Sequence, residues 1–241
     1  MARHSQRLRE TIALTRGRLT SLLREVWLHP QLSELFPEFL FAMYGVTLAT
    51  APALRSAADR CAAMMGADPL AASLRMYYMH HAQEETGHEE PILADLASFG
   101  ISREQVLQRL PYPSVAALVG MQYYWMLHIH PVAYLGYIAV GEEPPAIEFL
   151  KEVSDRAGIP LSSMSSHVMH AKLDLIHVEE FDAMLDALPL TAWHQDLIAV
   201  NAITTVAYLE DFFTEVLEHF HRAGNPAHAG TIFTSAGPVL A

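Results

Sequence analysis

Apolar residues in this chain recur at intervals of three and four, the period of an amphipathic helix, as far as about residue 222. Leu8, Ile12, Leu19, Leu22 and Val26 hold that spacing through the opening thirty residues, so this segment reads as an integral first helix rather than a transit peptide. The pattern predicts long helices over residues 6–28, 31–64, 68–98, 112–142, 162–187 and 190–222, with shorter ones at 102–109 and 145–157. Prolines and glycines punctuate them. Ser102 with Gln105 has the pattern of a capping box, and Gly158 followed by Pro160 marks a helix end. No strand-like alternation of useful length occurs, and the residues from Gly224 onward carry little helical signal, as a loose tail or lid would. The expectation is an all-α bundle forming one domain over residues 1–241.

One stretch raises the question of a membrane. From Leu110 to Gly141 there is no Asp, Glu, Lys or Arg, a longer run than a bilayer span needs. It contains Pro113, Gln122, His128, His130 and Pro131, ends at Glu142, and has amphipathic neighbours. A central helix enclosed by others accounts for this better, so no membrane association is expected. Composition agrees with a compact globular chain, at 51% hydrophobic and 17% charged residues. The net charge of −12 disfavours nucleic acid as a partner, since phosphates call for a basic footprint. The single cysteine, Cys61, excludes an intramolecular disulfide and belongs to no cysteine motif, so it is expected in the core. The cytoplasm is the expected compartment.

Chemistry concentrates in two short stretches. Residues 167–180 read HVMHAKLDLIHVEE, in which His170, Asp174 and His177 have the spacing H-x3-D-x2-H. On a helix, positions i, i+4 and i+7 fall at about 0°, 40° and −20°, so the three side chains project from one face. The same grammar occurs earlier, in HHAQEETGHEE, where His81, Glu85 and His88 read H-x3-E-x2-H. Ionisable stripes inside apolar-rich helices are costly to bury unpaired, and metal coordination supplies the pairing. Glu85 and His88 also form the E-x-x-H pair that carboxylate-bridged di-metal bundles use. Glu142, which closes the uncharged run, is a candidate third contribution. A negative charge is unfavourable at a helix C-terminus, which suggests that something else retains it there. Imidazole and carboxylate donors without thiolate suit iron, manganese or zinc.

These residues resemble the haem-oxygenase-like di-iron oxidases, relatives of thiaminase II and of pyrroloquinoline-quinone synthase. HHAQEETGHEEPILADLASFG looks like that family's first ligand helix and HPVAYLGYIAVGEE like its middle helix, with the family's glutamate falling on Glu142. HAKLDLIH is similar to its third, with His170, Asp174 and His177 on the ligand positions. The resemblance implies a haem-oxygenase-like bundle of about seven helices and two iron ions, with dioxygen as co-substrate. It also implies oxidation of a small molecule, an amino acid, amine or fatty acid, by N-oxygenation, desaturation or carbon–carbon cleavage. A homodimer is common in such bundles. One departure matters: many members carry a glutamate seven residues before the histidine that matches His88, and here that residue is His81. Glu85 or Glu84 would then provide the carboxylate of the first metal.

Two rival readings stand beside this one. A metal-free enzyme on the same scaffold, thiaminase-like or cofactor-free, would in its hydrolytic form need a nucleophilic cysteine. A storage or sensory protein would bind iron without turnover.

Overall fold

The computed structural model describes residues 3–142 and 145–223, and for residues 174–176 the helical backbone alone. The side chain of Asp174, one of the expected ligands, and the expected tail from Gly224 therefore lie outside the described residues.

The described residues contain eleven α-helices and no strand. They are α1 (His4–Thr15), α2 (Gly17–Trp27), α3 (Leu32–Ala63), α4 (Ala71–Glu84), α5 (Glu89–Ser98) and α6 (Arg103–Gln108). Then come α7 (Pro113–Tyr124), α8 (Tyr134–Gly141), α9 (Ile147–Ala157), α10 (Ser165–Ala187) and α11 (Ala192–Ala223). The count exceeds the eight helices expected from the spacing because three of them are interrupted, each for a local reason. The first breaks at Arg16, directly before Gly17. The third breaks at Gly87, whose φ of 93° is left-handed and continues no helix. The uncharged run breaks after a π-helical turn at Trp125–Ile129. There His130 is extended, as the residue before a proline tends to be. It is therefore not one continuous span.

Other punctuation is as the residues dictate. Ser102 and Gln105 form the reciprocal capping box of α6, and Gly158 ends α9 in the left-handed conformation. Among the described residues one helix, α11, is long and apolar enough to cross a membrane by length and composition. It packs against α1, α2, α3, α7 and α8. Gly136 lets α8 approach it closely, since a Cβ there would lie 2.3 Å from the Ile198 carbonyl oxygen.

Two apolar clusters form the core. One gathers Trp27, Leu35, Phe36, Phe39, Phe212 and Val216. The other gathers Leu54, Leu74, Tyr78, Tyr134, Phe181 and Ile198. Residues of both line a cavity of about 280 Å³, which also receives His81, Glu85, Glu142, His170 and His177. At the N-terminus of α10 the buried Asp95 of α5 accepts hydrogen bonds from the backbone N–H groups and hydroxyls of Ser165 and Ser166, at 2.6–2.9 Å. The helices α5 and α10 are thereby tied together.

Candidate metal centre

The two sequence stripes meet antiparallel. The rings of His81 and His177 stand 5.0 Å apart between centroids, and those of His88 and His170 stand 5.1 Å apart. Each stripe is thus divided between two groups. His81, Glu142 and His177 bring one ligand atom each within 4.8 Å of one another, and Glu85, His88 and His170 do the same. Six of the seven expected ligands enter these groups; Asp174 lies outside the described side chains.

The expectation that His81, Glu85 and His88 share one uninterrupted helix needs correction. Glu85 is the C-cap residue of α4 and His88 the N-cap residue of α5. Gly87 provides the sharp turn between them, and Glu85 Oε2 lies 3.1 Å from His88 Nδ1. The turn, rather than a helical face, sets this half of the site. Glu84 belongs to the other half, with Oε2 3.6 Å from His81 Nδ1 and 3.7 Å from His177 Nε2.

Each of these groups could hold a metal ion, and three observations bear on that fit. Glu142 is buried, and neither of its carboxylate oxygens accepts a hydrogen bond from the described residues. Oε1 lies 3.1 Å from His81 Nε2, close enough for attraction but not aligned as a hydrogen bond. A buried oxygen of Glu84 is likewise without a donor. Such oxygens are costly in a folded interior unless a positive partner compensates them. Lastly, His170 donates its Nδ1 proton to the Ser166 carbonyl at 2.8 Å, which leaves Nε2 with its lone pair available.

The electrostatics follow the same geometry. Burial alone would lower the His81 pKa, but Glu142 and then Glu85 raise it above the usual value against the opposing charge of His177. Burial would raise Glu85, yet the hydrogen bond from His88 and the nearby histidines hold it below the usual carboxylate range. Tyr77 stacks on the His81 ring at 5.6 Å, and burial followed by the charge of Glu142 pushes its hydroxyl well up.

His167, Tyr134, Tyr137 and Arg16 line the cavity and were not assigned from sequence. A signal existed for His167, three residues before His170 on the same helix. Its ring is caged by those of Trp27, Phe36 and Phe39 at 5.2–5.5 Å. Burial, then the charge of His170, pushes its pKa down to about 4. A histidine lowered from 6.5 stabilises the fold in its neutral form. Its contribution is complete above the unfolded value and is lost as pH falls toward the folded one. Acidification from pH 7 to 4 is expected to cost about 3 kcal/mol through this residue alone. Denaturant melts of His167→Phe should show a shallower acid dependence than the parent, and an unchanged slope would refute the assignment.

A third group, Asp68, His130 and His194, also brings ligand atoms within 4.8 Å. Backbone N–H groups of Val132 and Thr191 donate to Nδ1 of His130 and His194, so each neutral ring keeps its proton on Nε2. His130 Nε2 donates to Asp68 at 2.9 Å. The arrangement is a hydrogen-bonded latch rather than a set of open ligands. Cys61 is fully buried, as expected; burial followed by the charge of Asp68 pushes its thiol up to about 12.

The order and packing of the described helices match a haem-oxygenase-like fold. A domain of unknown function with that fold from Shewanella denitrificans OS217 aligns with a TM-score of 0.77 and 23% identity, covering 95% of this chain and 98% of its own. A TenA homologue from Pseudomonas syringae pv. tomato DC3000 gives 0.64 at 14% identity, covering 88% and 92% respectively. The TenA homologue of P. horikoshii OT3 gives 0.63 at 14%, covering 90% and 99%. At these identities the likeness concerns the fold. No protein-family model and no curated protein matches the chain.

Proposed function

We propose that the chain is a non-haem di-iron oxidase or oxygenase that uses dioxygen to oxidise a small molecule. The observation that carries this reading is the pair of histidine–carboxylate groups facing one cavity, with both Glu142 oxygens buried and undonated. His81, Glu142 and His177 would hold one ion, and Glu85, His88 and His170 the other. Asp174 remains a proposed ligand on the sequence spacing alone.

Two bound irons would supply the redox chemistry toward dioxygen that amino-acid side chains lack. The protein's own groups do the rest. Ser166 fixes the tautomer of His170, and Asp95 anchors the turn that carries Ser166. Glu142 and Glu85 would offset cationic charge at a buried site. The thiaminase-like alternative is disfavoured because Cys61 is buried, has a raised pKa and does not line the cavity.

The test is anaerobic titration of the metal-free protein with ferrous iron, followed by exposure to air-saturated buffer. Two irons per chain and iron-dependent oxygen consumption are expected, with both lost in a His170→Ala, His177→Ala double variant. Wild-type protein that takes up no iron, or a variant that keeps full uptake and oxygen consumption, would sink the proposal. Iron bound without oxygen consumption across acids and amines would select the storage reading.

A further inference from the structure

Glu84 differs from the other carboxylates near the paired histidines in the side from which it approaches them. The cavity lining includes His81, Glu85, Glu142, His170 and His177, but neither Glu84 nor His80. Both of these belong to α4, four residues apart and so neighbours on its surface. Oε1 of Glu84 lies 3.4 Å from Nε2 of His80, whose side chain is 59% exposed. Oε2 lies 3.6 Å from His81 Nδ1 and 3.7 Å from His177 Nε2. It is buried and accepts no hydrogen bond from the described residues. One carboxylate thus joins an exposed imidazole to two of the expected ligand histidines, from outside the cavity.

An exposed histidine–glutamate pair at this spacing contributes little to stability, and taken alone it would leave His80 without a role. The orientation of Oε2 changes that. An interior oxygen with no donor is costly unless a cation offsets its desolvation. Metal–ligand bonds of about 2.0–2.2 Å set neighbouring ligand atoms about 3–3.5 Å apart. The 3.4 Å between His80 Nε2 and Glu84 Oε1 falls in that range. The net charge of −12 also draws cations toward the surface of this chain.

We propose that His80 and Glu84 form an entry site for divalent metal. A hydrated ferrous ion binds first between them, then passes along the Glu84 carboxylate to the group of His81, Glu142 and His177. Water ligands leave as protein donors replace them, and no electron moves. The proposal rests on the proposed metal centre as the destination, but His80 is no ligand of that centre. This fixes a kinetic signature. A group that lies on the path and is absent from the end state changes the rates of uptake and release by the same factor, so Kd stays where it was.

Cobalt(II) is the probe, because its visible absorption reports ligand exchange and it loads without consuming dioxygen. Stopped-flow mixing with the metal-free full chain measures uptake, and transfer into excess chelator measures release. In His80→Ala both rates are expected to fall about tenfold with Kd unchanged. A double-variant cycle supplies the second arm. In a Glu84→Gln background the carrying carboxylate is gone, so His80→Ala should slow uptake no further.

Unchanged rates in His80→Ala, a weakened Kd with faster release, or equal slowing by His80→Ala in both backgrounds would each overturn the entry site. Wild-type protein that loads no cobalt would instead reject the metal centre itself. That result is distinct from a protein that loads normally and is indifferent to His80.

Discussion

Asp95→Ala is expected to lower the unfolding free energy by about 3–5 kcal/mol, at the upper end for a single substitution. The Asp95 side chain is buried, and its two oxygens accept four hydrogen bonds, two from backbone N–H groups in the first turn of α10 and two from serine hydroxyls. Those N–H groups have no intrahelical partner, and the positive end of the helix dipole favours a carboxylate there. Alanine removes the acceptor of all four donors. The half-buried Ser165 can turn to water and the Ser166 hydroxyl has His167 Nδ1 at 3.3 Å, while each donor left unsatisfied costs about 1–3 kcal/mol. Urea melts should show a lower midpoint with an unchanged slope. The site supplies a second readout. Ser166, held by Asp95, accepts the proton that sets the His170 tautomer, so iron affinity should fall as well. A comparably destabilising substitution at Leu185, buried in the second apolar cluster, should leave iron affinity unchanged. Equal iron affinity in Asp95→Ala and Leu185→Ala would show that Asp95 is structural only.

Most of the helical content was legible because amphipathic spacing is a local signal that tertiary packing reinforces. The breaks were legible only in part. Gly158, with Pro160 two residues on, reads unambiguously as an end, whereas Gly87 sits inside a polar run that continues to look helical on both sides. That ambiguity hid how the site is assembled. The two stripes share one spacing, while the structure divides each stripe so that each group draws on two segments. Seven helical residues rise about 10 Å, too far for His170 and His177 to hold a single ion. The cavity was not legible at all. Its apolar walls come from α2, α3 and α11, whose residues follow the same spacing as any core face. His167 was visible in the sequence, but its role depends on Trp27, Phe36 and Phe39, more than a hundred residues away.

Glu142→Leu separates a structural glutamate from a metal-holding one because the two readings predict opposite signs for stability. A carboxylate retained for the fold makes hydrogen bonds, and its loss destabilises. The oxygens of Glu142 are buried and accept none, so removing them relieves a desolvation cost. The compensating contact is the attraction of protonated His81 at 3.1 Å. Because the His81 pKa is raised, that contribution is complete below the unfolded value and disappears as pH rises through the folded one. At pH 9 the metal-free Glu142→Leu protein is therefore expected to be as stable as the parent or more so, by up to about 2 kcal/mol. Iron affinity should move the other way, and by more. Groups that merely orient a ligand are worth about 10–100-fold in metal affinity, so loss of a direct carboxylate ligand is expected to cost at least about 100-fold. Thermal melts of the metal-free protein together with ferrous titrations measure both quantities on one preparation. A less stable variant that binds iron as tightly as the parent would remove Glu142 from the metal centre, whereas stability gained against affinity lost is the signature of a residue kept for its ion.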